Sequence, residues 1–177
     1  IDRSRGLGDV YKRQILDCIL TVSPDVLHLQ EVTPEMYEAA KCMLSGWQTL
    51  RQRDSSYDYF PVTAVRGGAA SFSVLKFGCH TDQGRHALIA RQGPWAFLNV
   101  HAESGPTARQ RDCRNWQLEF MSSRHEFDDQ HVQVMAGDLN IRPGEEQCLM
   151  QQHWWDAWSS SQRRAGDEWT WKKGNSC

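Results

Sequence analysis

An α/β domain whose sheets are covered by helices is the fold class that this sequence predicts. Strand-like runs recur at Trp47 to Arg53, Tyr59 to Val65, Ser71 to Phe77, His86 to Arg91 and Trp95 to His101, separated by turn signals such as Gly67-Gly68 and Asp82-Gln83-Gly84. A few segments of helical period interrupt them. The chain of 177 residues is one domain, long enough to bury a core. Many strands with a few interspersed helices make the α/β pattern.

The elements follow in order. Ile1 to Gln14 is polar, rich in Arg and Gly and without period; it resembles translated adapter sequence, so residues 1–14 are expected to be a non-native junction or disordered. Gly6-Leu7-Gly8 lacks the third glycine and the preceding strand of a phosphate loop. The folded part is expected over 15–177. Ile15, Leu16, Ile19 and Leu20 have helical spacing, stopped by Ser23-Pro24. Asp25 to Val32 is a mostly apolar strand ending in Gln30-Glu31. Thr33-Pro34 opens a helix with Thr as N-cap, and Met36, Tyr37, Ala40, Met43 and Leu44 form its buried stripe. After Trp95 to His101 and the Gly105-Pro106 turn, Thr107 and Gln110 fit a capping box for a helix burying Cys113, Trp116 and Phe120. Val132, Val134, Met135 and Ala136 read as a buried strand, followed by a short helix near Glu145 to Gln152 and a Trp-rich tail.

Composition narrows the function. Net charge is -2 and the pI about 6.4, so no global positive field recruits nucleic acid and any phosphate binding is local. The six cysteines are never closer than 24 residues, which excludes a C-x-x-C zinc knuckle or redox pair and predicts free thiols. The apolar runs are about half a membrane span and no leader pattern occurs, so a soluble intracellular protein is expected, nuclear or cytoplasmic if eukaryotic. Nothing points to an oligomer or a membrane partner.

Three strands end in polar groups able to converge: Gln30-Glu31, His101 to Ser104, and Asp138 to Asn140. Gly137 frees the backbone there, and residues two apart on an extended chain point the same way, so Asp138 and Asn140 share one small volume. Each group suits phosphoester cleavage. Glu31 can hold Mg²⁺, which keeps most of its waters and takes one or two carboxylates plus substrate phosphate. Asp138 can align and deprotonate the attacking water, while Asn140 and His101 donate hydrogen bonds to the scissile phosphate. Ser104 and Arg142 add phosphate contacts, the Arg through a bidentate fork. Structural readings stand beside these. Asp138, Asn140 and Ser104 are turn formers, Glu31 suits the field of the following helix, and His101 can be a hydrogen-bonded strand-end histidine. Arg109, Arg111 and Arg114 are either a basic patch or a solvated helix face. Five of eight tryptophans lie in the last 24 residues; Trp171 can line a substrate channel, and most of the others are expected in the core.

The motifs L-Q-E-V at Leu29 to Val32, N-V-H-A-E-S at Asn99 to Ser104 with Arg114-x-x-Gln117-Leu118, and G-D-L-N-I-R at Gly137 to Arg142 resemble the endonuclease/exonuclease/phosphatase superfamily. The Glu-Ser after the histidine, Thr170-Trp171 and Gly84-Arg85 are similar to its tyrosyl-DNA phosphodiesterase branch. The resemblance implies a four-layer α/β sandwich, two mixed β-sheets packed together and flanked by helices, here truncated. It implies one catalytic Mg²⁺, with Mn²⁺ as a substitute, and hydrolysis of a nucleic-acid phosphodiester: a 5′-tyrosyl linkage at a DNA 5′ end, in DNA repair. It assigns Glu31 as metal ligand, Asp138 as the water-orienting residue, and Asn140, His101 and Arg142 as phosphate contacts. Lys172-Lys173 departs from an acidic residue after Thr-Trp. The superfamily's initial Asn-bearing strand and final Asp-His pair find no match before Ile15 or after Trp171, so a partial domain with impaired catalysis is expected. The alternatives are an inositol polyphosphate 5-phosphatase relative, a neutral sphingomyelinase relative, which wants an exposed aromatic hairpin, and a catalytically inactive module binding nucleic acid or protein.

Overall fold

Strand pairing divides the chain into two sheets. The computed structural model describes residues 14, 17–19, 21–52, 57–123, 132–145, 147–150 and 154–157. Its elements are β1 (Val26–Val32), α1 (Pro34–Met43), β2 (Trp47–Arg51), β3 (Phe60–Arg66), β4 (Ser71–Lys76), β5 (His86–Gln92), β6 (Trp95–His101), α2 (Ala108–Ser123), β7 (Val132–Asp138) and α3 (Gln147–Met150). The first sheet has the order β1-β3-β2 and is antiparallel throughout; the second has the order β4-β5-β6-β7, with β6 and β7 parallel. Among the described residues only the second sheet is therefore mixed. None of the described helices is long and apolar enough to cross a membrane.

Each helix covers one sheet. Thr33 caps α1, its hydroxyl accepting from the Met36 N–H at 3.3 Å, with Pro34 in the first turn. Tyr37, Ala40 and Leu44 then pack on Leu27, Val32, Val62 and Ala64 of the first sheet. Helix α2 begins with the expected capping box: the Gln110 N–H donates to Thr107 Oγ1, and the Thr107 N–H donates to Gln110 Oε1, both at 3.2 Å. Leu118 and Met121 pack on Ala87, Ile89, Leu98 and Val100 of the second sheet. The layers run helix, sheet, sheet, helix, as expected of the four-layer sandwich.

The sheets meet at a polar contact. Buried Asn99 on β6 donates from Nδ2 to the Val62 carbonyl on β3 at 2.9 Å, and its Oδ1 accepts from Gln30 Nε2 on β1 at 2.5 Å. Gly137 belongs to the same junction. Its φ is +134°, and a Cβ there would collide with the Val100 carbonyl oxygen and approach Gln30 Nε2.

Three expectations are corrected. Strand β7 is not buried: it is the sheet's edge among the described residues, leaving Val132 54% and Val134 37% exposed. The stripe of α2 is only partly apolar: Cys113 is buried, but the other buried positions are Arg114, Gln117, Leu118 and Met121. Trp116 and Phe120 stack on one another with His80 at the margin of that core. The strand from Trp47 ends at Arg51, and the next residue, Gln52, directs its side chain to the Gly84 carbonyl, at 2.9 Å. At the start of the chain, residues 17–19 and 21–22 are helical, with the Ser23 N–H donating to the Ile19 carbonyl at 2.9 Å. Ile15, Leu16, Leu20, Arg53 and residues 151–152 lie outside the described residues, as does the 1–14 segment except for position 14. Cys18, Cys42, Cys79 and Cys113 are free thiols, as expected.

Replacing Asn99 by Ala is expected to cost about 2–4 kcal/mol, since it strands the buried Val62 carbonyl and the Gln30 amide. Urea unfolding checks this; a loss below about 0.5 kcal/mol would show that the sheets do not depend on the contact.

Candidate active site

Strands β6 and β7 are parallel and in register, with His101 opposite Asp138. Strand alternation puts both on the face that carries Asn99, toward the other sheet. His101 is buried, Asp138 is 55% exposed, and the His101 Nε2 to Asp138 Oδ2 distance is 4.0 Å. Asp138 Oδ1 accepts the Asn140 N–H at 3.0 Å, a side-chain turn that holds one carboxylate oxygen and leaves the other facing the histidine. Asn140 takes a φ of +50° and donates from Nδ2 to the Ala102 carbonyl at 3.0 Å, while the Ala102 N–H donates to the Asp138 carbonyl at 2.9 Å. The loops after β6 and β7 are thereby laced together. The turn-former reading of Asp138 and Asn140 is correct, and the turn is what orients them.

Glu31 comes from the other sheet. The register between β1 and β3 shifts from Leu29↔Val62 to Val32↔Phe60, a bulge in which Glu31 adopts a φ of +55°. Left-handed backbone at a residue with a Cβ costs of the order of 1–3 kcal/mol and collects at functional sites. Glu31 is exposed, and no hydrogen bond or ion pair joins it to His101, Ser104, Asp138 or Asn140. Its neighbour Gln30 brings the bulge to Asn99 and Gly137. Among the described residues no group of three or more His, Cys, Asp or Glu is arranged to hold a metal. One exposed carboxylate fits an ion that keeps most of its water, such as Mg²⁺; it does not fit a closed zinc cage.

Ser104 opens on a network that the strand-end motifs alone did not reveal. The oxygen Gln83 Oε1 accepts from the Ser104 N–H at 3.0 Å and hydroxyl at 2.9 Å, and from Arg85 Nε at 3.2 Å and Nη2 at 3.0 Å. Buried Arg85 then reaches His101 Nδ1 through Nη1 at 2.7 Å. Fully buried Glu103 supports the loop from beneath, Oε2 accepting from Thr81 Oγ1 at 2.8 Å and from the Gln83 N–H at 3.4 Å. Arg85 carried a family signal in Gly84-Arg85 and Glu103 in the Glu-Ser after the histidine, though neither was given a role; Gln83 carried none beyond turn composition. Beside His101 is a small hollow lined by Gln52, Tyr57, Tyr59, Pro61 and Arg85, with the guanidinium 5.9 Å from the Tyr59 ring centroid.

The arginines of α2 do not form a basic patch. Arg114 is fully buried and grips Glu145 with a two-pronged ion pair at 2.7 and 2.8 Å, while its Nη1 donates to the Glu103 carbonyl at 3.0 Å. Arg109 pairs with Asp82 at 2.7 Å, and Arg111 lies 3.9 Å from Asp112. Arg142 is exposed, and its backbone N–H donates to Glu145 Oε2 at 3.0 Å, which anchors the backbone two residues after Asn140. Trp154 is half-buried and Trp155 is 80% exposed. Trp158, Trp169, Thr170, Trp171 and Lys172-Lys173 lie outside the described residues.

Two packed sheets flanked by helices are also the fold of solved endonuclease/exonuclease/phosphatase structures. The sequence itself matches no family model and no curated protein. Among solved structures the chain is similar to D. rerio TDP2 in complex with single-strand DNA product, with a TM-score of 0.68 and 23% identity over 78% of this chain and 57% of that one. It is similar to humanized D. rerio TDP2 carrying 14 mutations, with a TM-score of 0.67 and 24% identity over 77% of this chain and 57% of that one. An endonuclease/exonuclease/phosphatase from Bacteroides vulgatus gives a TM-score of 0.60 and 15% identity, over 79% and 62% of the two chains. The chain thus spans somewhat more than half the length of these two D. rerio TDP2 structures.

Burial, then the positive charge of Arg85, lower the His101 pKa from 6.5 to about 4, with Asp138 opposing the shift. His101 is therefore a neutral hydrogen-bond donor near pH 7. The unfolded chain protonates this histidine near pH 6.5 and the folded chain only near pH 4, so stability falls as pH drops between those values, by about 3 kcal/mol for the full shift. His28, buried and also lowered to about 4, adds a loss of the same sign. Replacing His101 by Gln is expected to flatten this part of the profile, as read by urea unfolding at successive pH values. An unchanged slope would contradict the assignment.

Proposed function

We propose that the protein is a Mg²⁺-dependent phosphodiesterase acting on a phosphoester of nucleic acid, with a 5′-tyrosyl linkage on a DNA end as the favoured substrate. The observation that carries the reading is the in-register His101–Asp138 pair, with Asn140 hydrogen-bonded to both loops. Asp138, exposed and held by one oxygen, orients the attacking water and takes its proton. His101 and Asn140 donate to the scissile phosphate as its charge grows; Asn140 spends one amide hydrogen on Ala102 and keeps the second. Arg142 brings a cation to the same phosphate. Ser104, its hydroxyl hydrogen held by Gln83, lines the site, and Trp171 stacks on a base of the strand. Glu31 would hold the Mg²⁺, which would supply Lewis-acid polarisation of the phosphate oxygens.

Two observations support the finer choice. The neutralised arginines of α2 argue against a site for a polyphosphorylated inositol ring, and a TDP2 of this fold has been crystallised with single-strand DNA product. The test uses the full-length protein and a single-stranded oligonucleotide bearing a 5′-phosphotyrosyl group. Release of tyrosine is expected with Mg²⁺, lost with EDTA, and reduced about a thousandfold or more in Asp138→Asn and in Glu31→Gln. Phosphate release from an inositol polyphosphate without tyrosine release would overturn the substrate. Silence on both would favour a binding module.

A further inference from the structure

We propose that Arg85 and Gln83 are positioning residues that fix which nitrogen of His101 carries its proton, locking the ring as the Nε2–H tautomer with Nδ1 as acceptor. The argument rests on donor and acceptor identity. A guanidinium always carries its protons and has no lone pair to offer, so across 2.7 Å the Arg85 Nη1 group donates and His101 Nδ1 accepts. A neutral imidazole has one N–H, which then sits on Nε2. Nε2 lies 4.0 Å from Asp138 Oδ2, longer than a hydrogen bond, so its hydrogen is not spent on that carboxylate.

The lock needs a guanidinium that does not turn, and the structure holds it from behind. Arg85 Nε and Nη2 both donate to Gln83 Oε1, at 3.2 and 3.0 Å, which fixes the plane of the fork. That oxygen is fixed in turn by the Ser104 N–H and hydroxyl at 3.0 and 2.9 Å, on the strand end that carries His101. Below it the Arg85 N–H donates to Thr81 Oγ1 at 2.8 Å, and Thr81 Oγ1 donates to buried Glu103 Oε2 at 2.8 Å. The loop from Thr81 to Arg85 is thus a bracket with one free prong, directed at Nδ1. Its catalytic consequence rests on the phosphodiesterase reading: a neutral Nε2–H turned toward the Asp138 side stabilises charge on a bound phosphate without giving up its proton. The tautomer itself is a property of the protein without substrate.

The test has two arms. Long-range ¹H–¹⁵N correlation of the ¹⁵N-labelled full-length protein at pH 7 is expected to show His101 protonated at Nε2 and bare at Nδ1. Arg85→Met is expected to give a mixture of tautomers, and Arg85→Lys, which restores a donor, to return most of the ring to the Nε2–H form. A proton on Nδ1 in the wild type, a wild-type mixture, or an unchanged ring in Arg85→Met would overturn the proposal. The wild-type spectrum decides alone if Arg85→Met does not fold. In the second arm, hydrolysis of the p-nitrophenyl ester of thymidine 5′-phosphate is expected to lose kcat about 10- to 100-fold in Arg85→Met with KM little changed, and to recover in part in Arg85→Lys. A raised KM with unchanged kcat would place Arg85 on the substrate and overturn its positioning role. No hydrolysis by the wild type, with the expected spectrum, would overturn the proposed function and leave this inference standing.

Discussion

The Asn99 side chain is the contact on which the arrangement of this protein depends. A buried carboxamide between two sheets is costly unless both ends are satisfied, and here Val62 and Gln30 of the first sheet satisfy it. That requirement fixes how the sheets sit on each other. Two residues along the same strand face stands His101, and across the parallel ladder stands Asp138. Gln30 is followed at once by Glu31. One inter-sheet hydrogen-bonded group therefore brings together the ends of β1, β6 and β7.

Around this junction the backbone is strained at two residues of the proposed site. Glu31 and Asn140 are two of the three described non-glycine residues with positive φ, the third being Ser23 before Pro24. Each is held by something specific: Glu31 by the bulge against β3, and Asn140 by the Asp138 carboxylate and the Ala102 carbonyl. Gly137 has no room for a Cβ against Val100. Behind the site, the polar core contains Glu103, Arg114 and Gln117, which tie α2 to both loops: Gln117 Oε1 accepts the Glu103 N–H at 2.9 Å, and Arg114 bridges Glu103 to Glu145. Such a network is stabilising only when its members are paired, so a loss at one position is felt at the others.

Much of this was legible in the sequence, for local reasons. Helix starts were readable at Thr33-Pro34 and Thr107 to Gln110, because caps are written in the residues that make them. Strand order was not, since periodicity does not say who pairs with whom; the valines of β7 read as interior and lie at an edge. Arg114 read as surface charge because hydropathy assigns a cation to water, whereas its partner Glu145 is 31 residues away in sequence and close in space. His101, Asp138 and Asn140, which the structure brings together, were singled out because they stand at or just beyond strand ends. Gln83 and Arg85 reach the same site from a loop whose composition announced only a turn, though Gly84-Arg85 had the family's look.

The most direct test of the central claim, that these three strand ends form one phosphate-handling centre, is a crystal structure of the full-length protein grown with Mg²⁺ and inorganic phosphate. The account predicts the cation at the Glu31 carboxylate, with the phosphate oxygens within hydrogen-bond reach of His101 Nε2 and Asn140 Nδ2. Phosphate and cation bound elsewhere, with the Glu31, His101 and Asn140 side chains holding only water, would contradict it.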